Sequence, residues 1–139
     1  YDLYELANHL PTVGAGAIGT LENDVPAGEF LHFIKNKLNI SQIRFSGSLD
    51  LKIRKVAICT GSGGFLISDA MQAGADLFIT ADLKYHDFFP GRRLLVLADI
   101  GHYESEQWVK EWLFAKLVEK FPTFAFPIST VNTNPVNYL

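Results

Sequence analysis

Short apolar segments that alternate with helical segments constrain the fold of this chain more than any other feature of its sequence. Residues 56–59, 76–80 and 94–100 have the apolar, partly β-branched composition of buried strands. Residues 65–73 and 102–121 have apolar side chains at helical spacing. Parallel strands need crossover connections, which are usually helices. The sequence therefore predicts a layered α/β fold, with helices packed on a mainly parallel or mixed sheet.

The segments that flank this region predict further elements. Residues 1–6 and 12–21 are expected to be extended. Pro26 is expected to open a helix, because proline suits the first helical turn. Short strands are expected at residues 42–45 and 124–128.

Length and composition limit the number of domains and the class of partner. With 139 residues and 48% hydrophobic content, we expect one α/β domain over residues 1–139. A net charge of −3 without a basic stripe argues against nucleic acid as a partner. Cys59 is the single cysteine, and no apolar stretch approaches the roughly 20 residues of a membrane span, so we expect a cytoplasmic protein. Because Met71 is the only methionine, we also expect part of a longer protein.

The residues that follow each predicted strand are candidates for a binding site, because ligands of open α/β sheets bind beyond the carboxyl ends of the strands. These residues are 60–64, 82–86 and 102–106. If the strands are parallel neighbours, the three groups meet at one edge of the sheet. The glycine-rich turn at residues 61–64 lacks both the GxGxxG spacing and a following Gly-Lys-Ser/Thr, so a tight turn is favoured over a phosphate-binding loop.

His102 and Glu106 form the sharpest candidate pair. At i and i+4 on a helix, an imidazole and a carboxylate lie on one face and can share a metal ion. The alternative is a cap or salt link in the first helical turn, and it stays open because two ligands do not make a site. The same face continues as an apolar stripe, so both side chains are expected to point inward; the stripe consists of Val109, Leu113, Leu117 and Phe121.

His86 is a second candidate. It follows Asp82 by four residues, with Asp87 beside it. This group could supply a carboxylate that orients a metal ligand, or an imidazole for general acid–base catalysis. The alternative is a capped, half-buried histidine.

Four segments together resemble one known family. They follow one another in the order seen in the carboxyl-terminal half of the NIF-three-like family, whose members are also called GTP cyclohydrolase I type 2 homologues. The resemblance covers nearly all of the chain, and the segments are GAGAIGTL at 14–21, ITADLKYHD at 79–87, DIGHYESE at 99–106 and NTNP at 132–135.

The resemblance implies a two-metal centre in an α/β protein that assembles as a ring-shaped homohexamer. In that family a histidine pair and an aspartate come from the amino-terminal half, and this chain would supply His102 and Glu106. The missing amino-terminal half is then the expected partner. Zinc, iron and manganese all accept such ligands, so the metal stays open. Ala17 stands where the family usually has an arginine that contacts an anion, and Ala81 where it usually has a glycine.

Three hypotheses of function follow. The first is a metal-dependent hydrolase that acts on a small molecule of unknown identity, with His86 as a candidate proton shuttle. The second is a metal-binding or regulatory module without catalysis, and the third is a scaffold that acts through ring assembly. The chain has 11 phenylalanines. Their apolar surface exceeds what one small domain is expected to bury, so we also expect the chain to form homo-oligomers.

Overall fold

The computed structural model describes residues 4–6, 14–92 and 95–139 of the chain. Two compact units are present, Tyr1–Ser105 and Glu106–Leu139. The prediction of a single domain over residues 1–139 stays a prediction. Of the predicted extended segments, residues 1–3 and 12–13 lie outside the described residues, as does Leu94 in the third predicted strand.

The first unit contains a six-stranded mixed sheet. Its strands are β1 (Tyr4–Leu6), β2 (Gly16–Pro26), β3 (Arg44–Ser46), β4 (Lys52–Ser62), β5 (Leu77–Ala81) and β6 (Val96–Asp99). Their order in the sheet is β1-β2-β4-β5-β6-β3. The pairs β4–β5 and β5–β6 are parallel, and the other three pairs are antiparallel. The prediction of a layered α/β fold with a mixed sheet is confirmed.

Helices cover both faces of this sheet. Helix α1 (Ala27–Lys37) contributes Leu31 to the apolar core on one face, and helix α2 (Ile67–Gln72) contributes Ile67 to the core on the other. Every residue of β5 and β6 is buried, as expected for parallel strands between two helical layers. Each fully buried side chain, such as Phe78, stabilises the fold by about 1.5–3 kcal/mol.

The predicted start of α1 is confirmed. Pro26 has an extended backbone and precedes the first helical residue, Ala27. The first amides of the helix donate hydrogen bonds to carbonyl groups of the loop before β4. Ala27 N–H donates to the Leu51 carbonyl at 2.9 Å, and Gly28 N–H donates to the Leu49 carbonyl at 2.8 Å.

The predicted helix over residues 102–121 is two helices, α3 (His102–Glu106) and α4 (Val109–Lys120). The Ser105 hydroxyl donates to the His102 carbonyl at 2.8 Å, and a bond of this kind competes with the helical ladder and bends helices. No residue of α4 is buried. The prediction of a buried apolar stripe along this segment is therefore wrong for the described chain.

The predicted strand at residues 124–128 is also wrong. The residues that follow α4 have neither helix nor strand. Pro122 and Pro127 lack the amide that a ladder needs. The phenylalanines of this segment contact each other instead, with ring centroids of Phe124 and Phe126 6.4 Å apart.

Across the described ranges, none of the helices combines the length and the apolar character that crossing a bilayer demands.

Candidate functional site

The carboxyl ends of β4, β5 and β6 lie side by side, because these three strands are adjacent and parallel. Gly61 N–H, near the end of β4, donates to the Ser105 hydroxyl of α3 at 2.9 Å. Asp82, directly after β5, has its Oδ2 atom 2.6 Å from Nδ1 of His102, the first residue of α3. The prediction that the three post-strand segments meet at one edge of the sheet is confirmed.

Asp99, the last residue of β6, holds two of these segments together. Its side chain is almost fully buried. Oδ2 accepts the Leu83 N–H at 2.9 Å and Oδ1 accepts the Gly101 N–H at 3.0 Å. The Arg44 guanidinium of β3 pairs with the same carboxylate and donates to the Leu83 carbonyl at 3.0 Å. Asp99 therefore links the loop after β5 to the turn before α3. Asp99 was not among the site residues predicted from the sequence, although a carboxylate at the end of an apolar strand was a usable signal.

The turn before α3 requires a glycine. Gly101 has φ +90°, and a Cβ atom at this position would lie 2.2 Å from Oε2 of Glu104. The Glu104 side chain thus packs back against Gly101, and Glu104 is 8% exposed.

The glycine-rich turn after β4 is packed tightly. A Cβ atom at Gly63 would lie 2.3 Å from Oγ1 of Thr80 and 2.9 Å from Sγ of Cys59. The buried Thr80 hydroxyl donates to the Gly61 carbonyl at 3.2 Å, and Gly61 has φ +62°. These contacts give the glycines a packing role, as the tight-turn interpretation predicts.

His86 lies in a 3₁₀ turn, Tyr85–Phe88, and is exposed. Its ring stacks on Phe89, with centroids 5.6 Å apart, and meets Tyr85 edge-on at 5.2 Å. Asp82 precedes this turn, has φ +57°, and its carboxylate contacts His102. The Asp82 carboxylate lies beside the candidate ligand His102, and its role in orienting a metal ligand stays a prediction. The catalytic role of His86 stays a prediction.

Glu106 is the last residue of α3 and the first residue of the second unit. Its pairing with His102 rests on helical spacing and stays a prediction. Within residues 4–6, 14–92 and 95–139, no group of three or more His, Cys, Asp or Glu side chains is placed to hold a metal ion. Any metal centre that uses His102 would therefore need further ligands.

The two departures from the family pattern have different surroundings. Ala17 lies in β2, opposite Ile58 of β4. Ala81 is fully buried at the end of β5. The left-handed backbone conformation falls on the next residue, Asp82, so position 81 does not require a glycine.

Comparisons with known proteins agree on one family. The sequence model of Duf34/NIF3 (NGG1p interacting factor 3) matches residues 2–135. A Bacillus subtilis (strain 168) protein called GTP cyclohydrolase 1 type 2 homolog is 35% identical, and the match covers 100% of this chain and 38% of that protein. A Staphylococcus aureus (strain MSSA476) protein of the same name is 40% identical over 91% of this chain and 36% of its own length.

Solved structures show the same relationship. The crystal structure of Staphylococcus aureus protein SA1388 aligns with a TM-score of 0.79 and 34% identity, over 91% of this chain and 42% of that one. A Bacillus cereus protein related to NIF3 aligns with a TM-score of 0.75 and 32% identity, over 91% and 36%. The chain thus spans well under half the length of these relatives. Because the family match extends over nearly the whole sequence, the chain belongs to the Duf34/NIF3 family.

Proposed function

We propose that this chain contributes half of a dinuclear divalent-metal site, with His102 and Glu106 as its ligands. The contact that carries the proposal is the 2.6 Å approach of Asp82 Oδ2 to His102 Nδ1. A metal-ligating histidine almost always donates its other ring N–H to a carboxylate, carbonyl or water. With Nδ1 directed to Asp82, a metal would be bound through Nε2.

The donor set fits a metal centre in part. Imidazole and carboxylate suit zinc, iron and manganese alike, and helical spacing lets His102 and Glu106 share one ion. The described residues hold no larger group of ligands. The relatives are more than twice as long as this chain, which supports a site completed by the remaining part of the protein. Assembly into a homo-oligomer, a hexamer by family resemblance, belongs to the same proposal.

The reaction we propose is hydrolysis of a small molecule. A bound divalent metal would polarise the bond to be cleaved and lower the pKa of a bound water. Within the chain, Asp82 would keep the His102 ring in place. His86 is the proposed proton carrier, because its exposed ring lies in the turn that follows Asp82 and β5.

Calorimetric titration of the chain with zinc tests the metal-binding part of this proposal. We expect weak binding, because two protein ligands leave most of the coordination sphere to water. His102→Ala and Glu106→Ala should abolish it. His32→Ala is the matched control, because His32 is an exposed histidine on α1 whose Nδ1 contacts the Gly28 carbonyl at 2.8 Å. Tight zinc binding that survives His102→Ala would overturn the proposal.

A further inference from the structure

We propose that Ser105 is a positioning residue for His102: its hydroxyl joins the irregular end of β4 to the first residue of α3 and so fixes the His102 backbone against the sheet. The bridge consists of two hydrogen bonds, both within the first unit. Its effect on metal affinity rests on the proposed function, whereas its effect on the backbone does not.

The first observation is the irregular end of β4. From Ile58 to Ser62 β4 advances four residues, while β5 advances only two, from Ile79 to Ala81. Gly61 lies in this stretch with φ +62°, a conformation that glycine adopts without steric cost. Such bulges disrupt the ladder locally and are common beside active sites. The backbone groups of Gly61 therefore need partners other than the regular ladder.

The second observation is that two buried side chains supply these partners. The Thr80 hydroxyl donates to the Gly61 carbonyl at 3.2 Å, and the Gly61 N–H donates to the Ser105 hydroxyl at 2.9 Å. Ser105 is 9% exposed, so water has little access to the second bond. A buried amide that loses its partner costs more than a typical hydrogen bond contributes. The contact between Gly61 and Ser105 therefore resists displacement of α3 from the end of β4.

The third observation is the second partner of the same hydroxyl. Ser105 donates to the His102 carbonyl at 2.8 Å, and a hydroxyl can accept one bond while it donates another. Serine is a poorer helix former than alanine, and a back-bond of this kind slightly destabilises helices. Helix stability therefore does not account for a serine here, whereas the bridge does. Asp82 contacts the His102 ring, but Ser105 holds the backbone that carries the ring.

Backbone NMR of the metal-free chain tests the bridge. In Ser105→Ala the Gly61 amide should exchange with solvent at least about 10-fold faster relative to the amide of Phe78 in the buried strand β5, because its acceptor is lost. The carbonyl ¹³C resonance of His102 should shift, because this carbonyl loses a donor. Ser105→Thr keeps the hydroxyl, which in a helix can bond to the same carbonyl, so it should restore both signals. Unchanged Gly61 exchange and an unchanged His102 resonance in Ser105→Ala would overturn the inference.

Zinc affinity of the same variants supplies the second readout. Ser105→Ala should weaken zinc binding about 10-fold, the low end of the effect of residues that orient metal ligands, and Ser105→Thr should stay within about 2-fold. Ile53→Val is the control for lost stability alone. Ile53 is fully buried near the start of β4, so loss of one methyl group weakens the core at the opposite end of the strand and should leave zinc affinity unchanged.

Two results decide between the inference and its alternatives. Equal zinc affinity of Ser105→Ala and the unmodified chain, or an equal loss in Ile53→Val, would overturn the positioning role. If no His102-dependent zinc binding is found, the proposed function fails, and the NMR measurement alone decides whether Ser105 holds the His102 backbone.

Discussion

Replacing Asp99 with alanine is expected to destabilise the first unit by about 2–4 kcal/mol. The change leaves the Leu83 and Gly101 amides without the acceptor that they share. An unsatisfied buried amide costs about 1–3 kcal/mol, and the Gly101 amide is only partly buried, so it should lie at the low end. The Arg44 side chain is 62% exposed, so loss of its ion pair adds less than about 1 kcal/mol.

Urea unfolding followed by far-UV circular dichroism measures this loss. Tryptophan fluorescence would not report the sheet, because Trp108 and Trp112 both belong to the second unit. Asp99→Ala should lower the midpoint with little change in slope. Asp99→Asn keeps one acceptor oxygen and should lose about half as much.

Asp24 offers a matched control. Asp24 forms an ion pair with Arg54 at 3.5 Å, and both side chains are exposed. Asp24→Ala should therefore lower the free energy of unfolding by less than about 1 kcal/mol. If Asp99→Ala costs no more than Asp24→Ala, the two amides are not held as described. Asp99 would then not connect the loop after β5 to the turn before α3.

Three further outcomes are expected. Gly63→Ala should lower thermal stability by about 1–3 kcal/mol, because the added methyl would lie 2.3 Å from Thr80 Oγ1; an unchanged melting temperature would refute the tight packing of this turn. Asp82→Ala should be about 1 kcal/mol less stable than Asp82→Gly in urea, because only glycine relieves a positive φ, and equal stability would contradict strain at this position. Light scattering should show self-association that Trp112→Glu reduces, since Trp112 and Val109 of α4 are each more than 60% exposed, whereas a monomer at high concentration would contradict it.

Local patterns predicted the central strands and the helix boundaries that depend on single residues. The apolar runs of β5 and β6 are continuous because these strands are buried between two helical layers, whereas β4 alternates between buried and exposed residues. Pro26 and Gly74 mark helix ends for steric reasons that act over a few residues; Gly74, with φ +73°, follows α2. Signals of this kind depend only on a few neighbouring residues, so a short stretch of sequence is enough to recognise them.

The strand pattern predicted that Asp82 and His102 lie at one edge of the sheet, but it did not predict their contact. Asp82 and His102 are 20 residues apart, and their contact depends on one backbone angle at Asp82 that no periodicity encodes. The turn that carries His86 is 3₁₀ and begins at Tyr85, so Asp82 lies outside it. Arg44 is 55 residues from Asp99, so only the folded sheet brings them together.

The place of β3 in the sheet has a consequence for the order of folding. β3 precedes β4 in the chain, yet it pairs at the far edge with β6, Arg44 opposite Asp99. Closing so long a loop is entropically unfavourable, so this edge should form after the β4–β5–β6 core. Changes at Arg44 should then accelerate unfolding more than they slow folding. The chain would complete most of its sheet before the Arg44–Asp99 pair fixes the loop that carries Asp82.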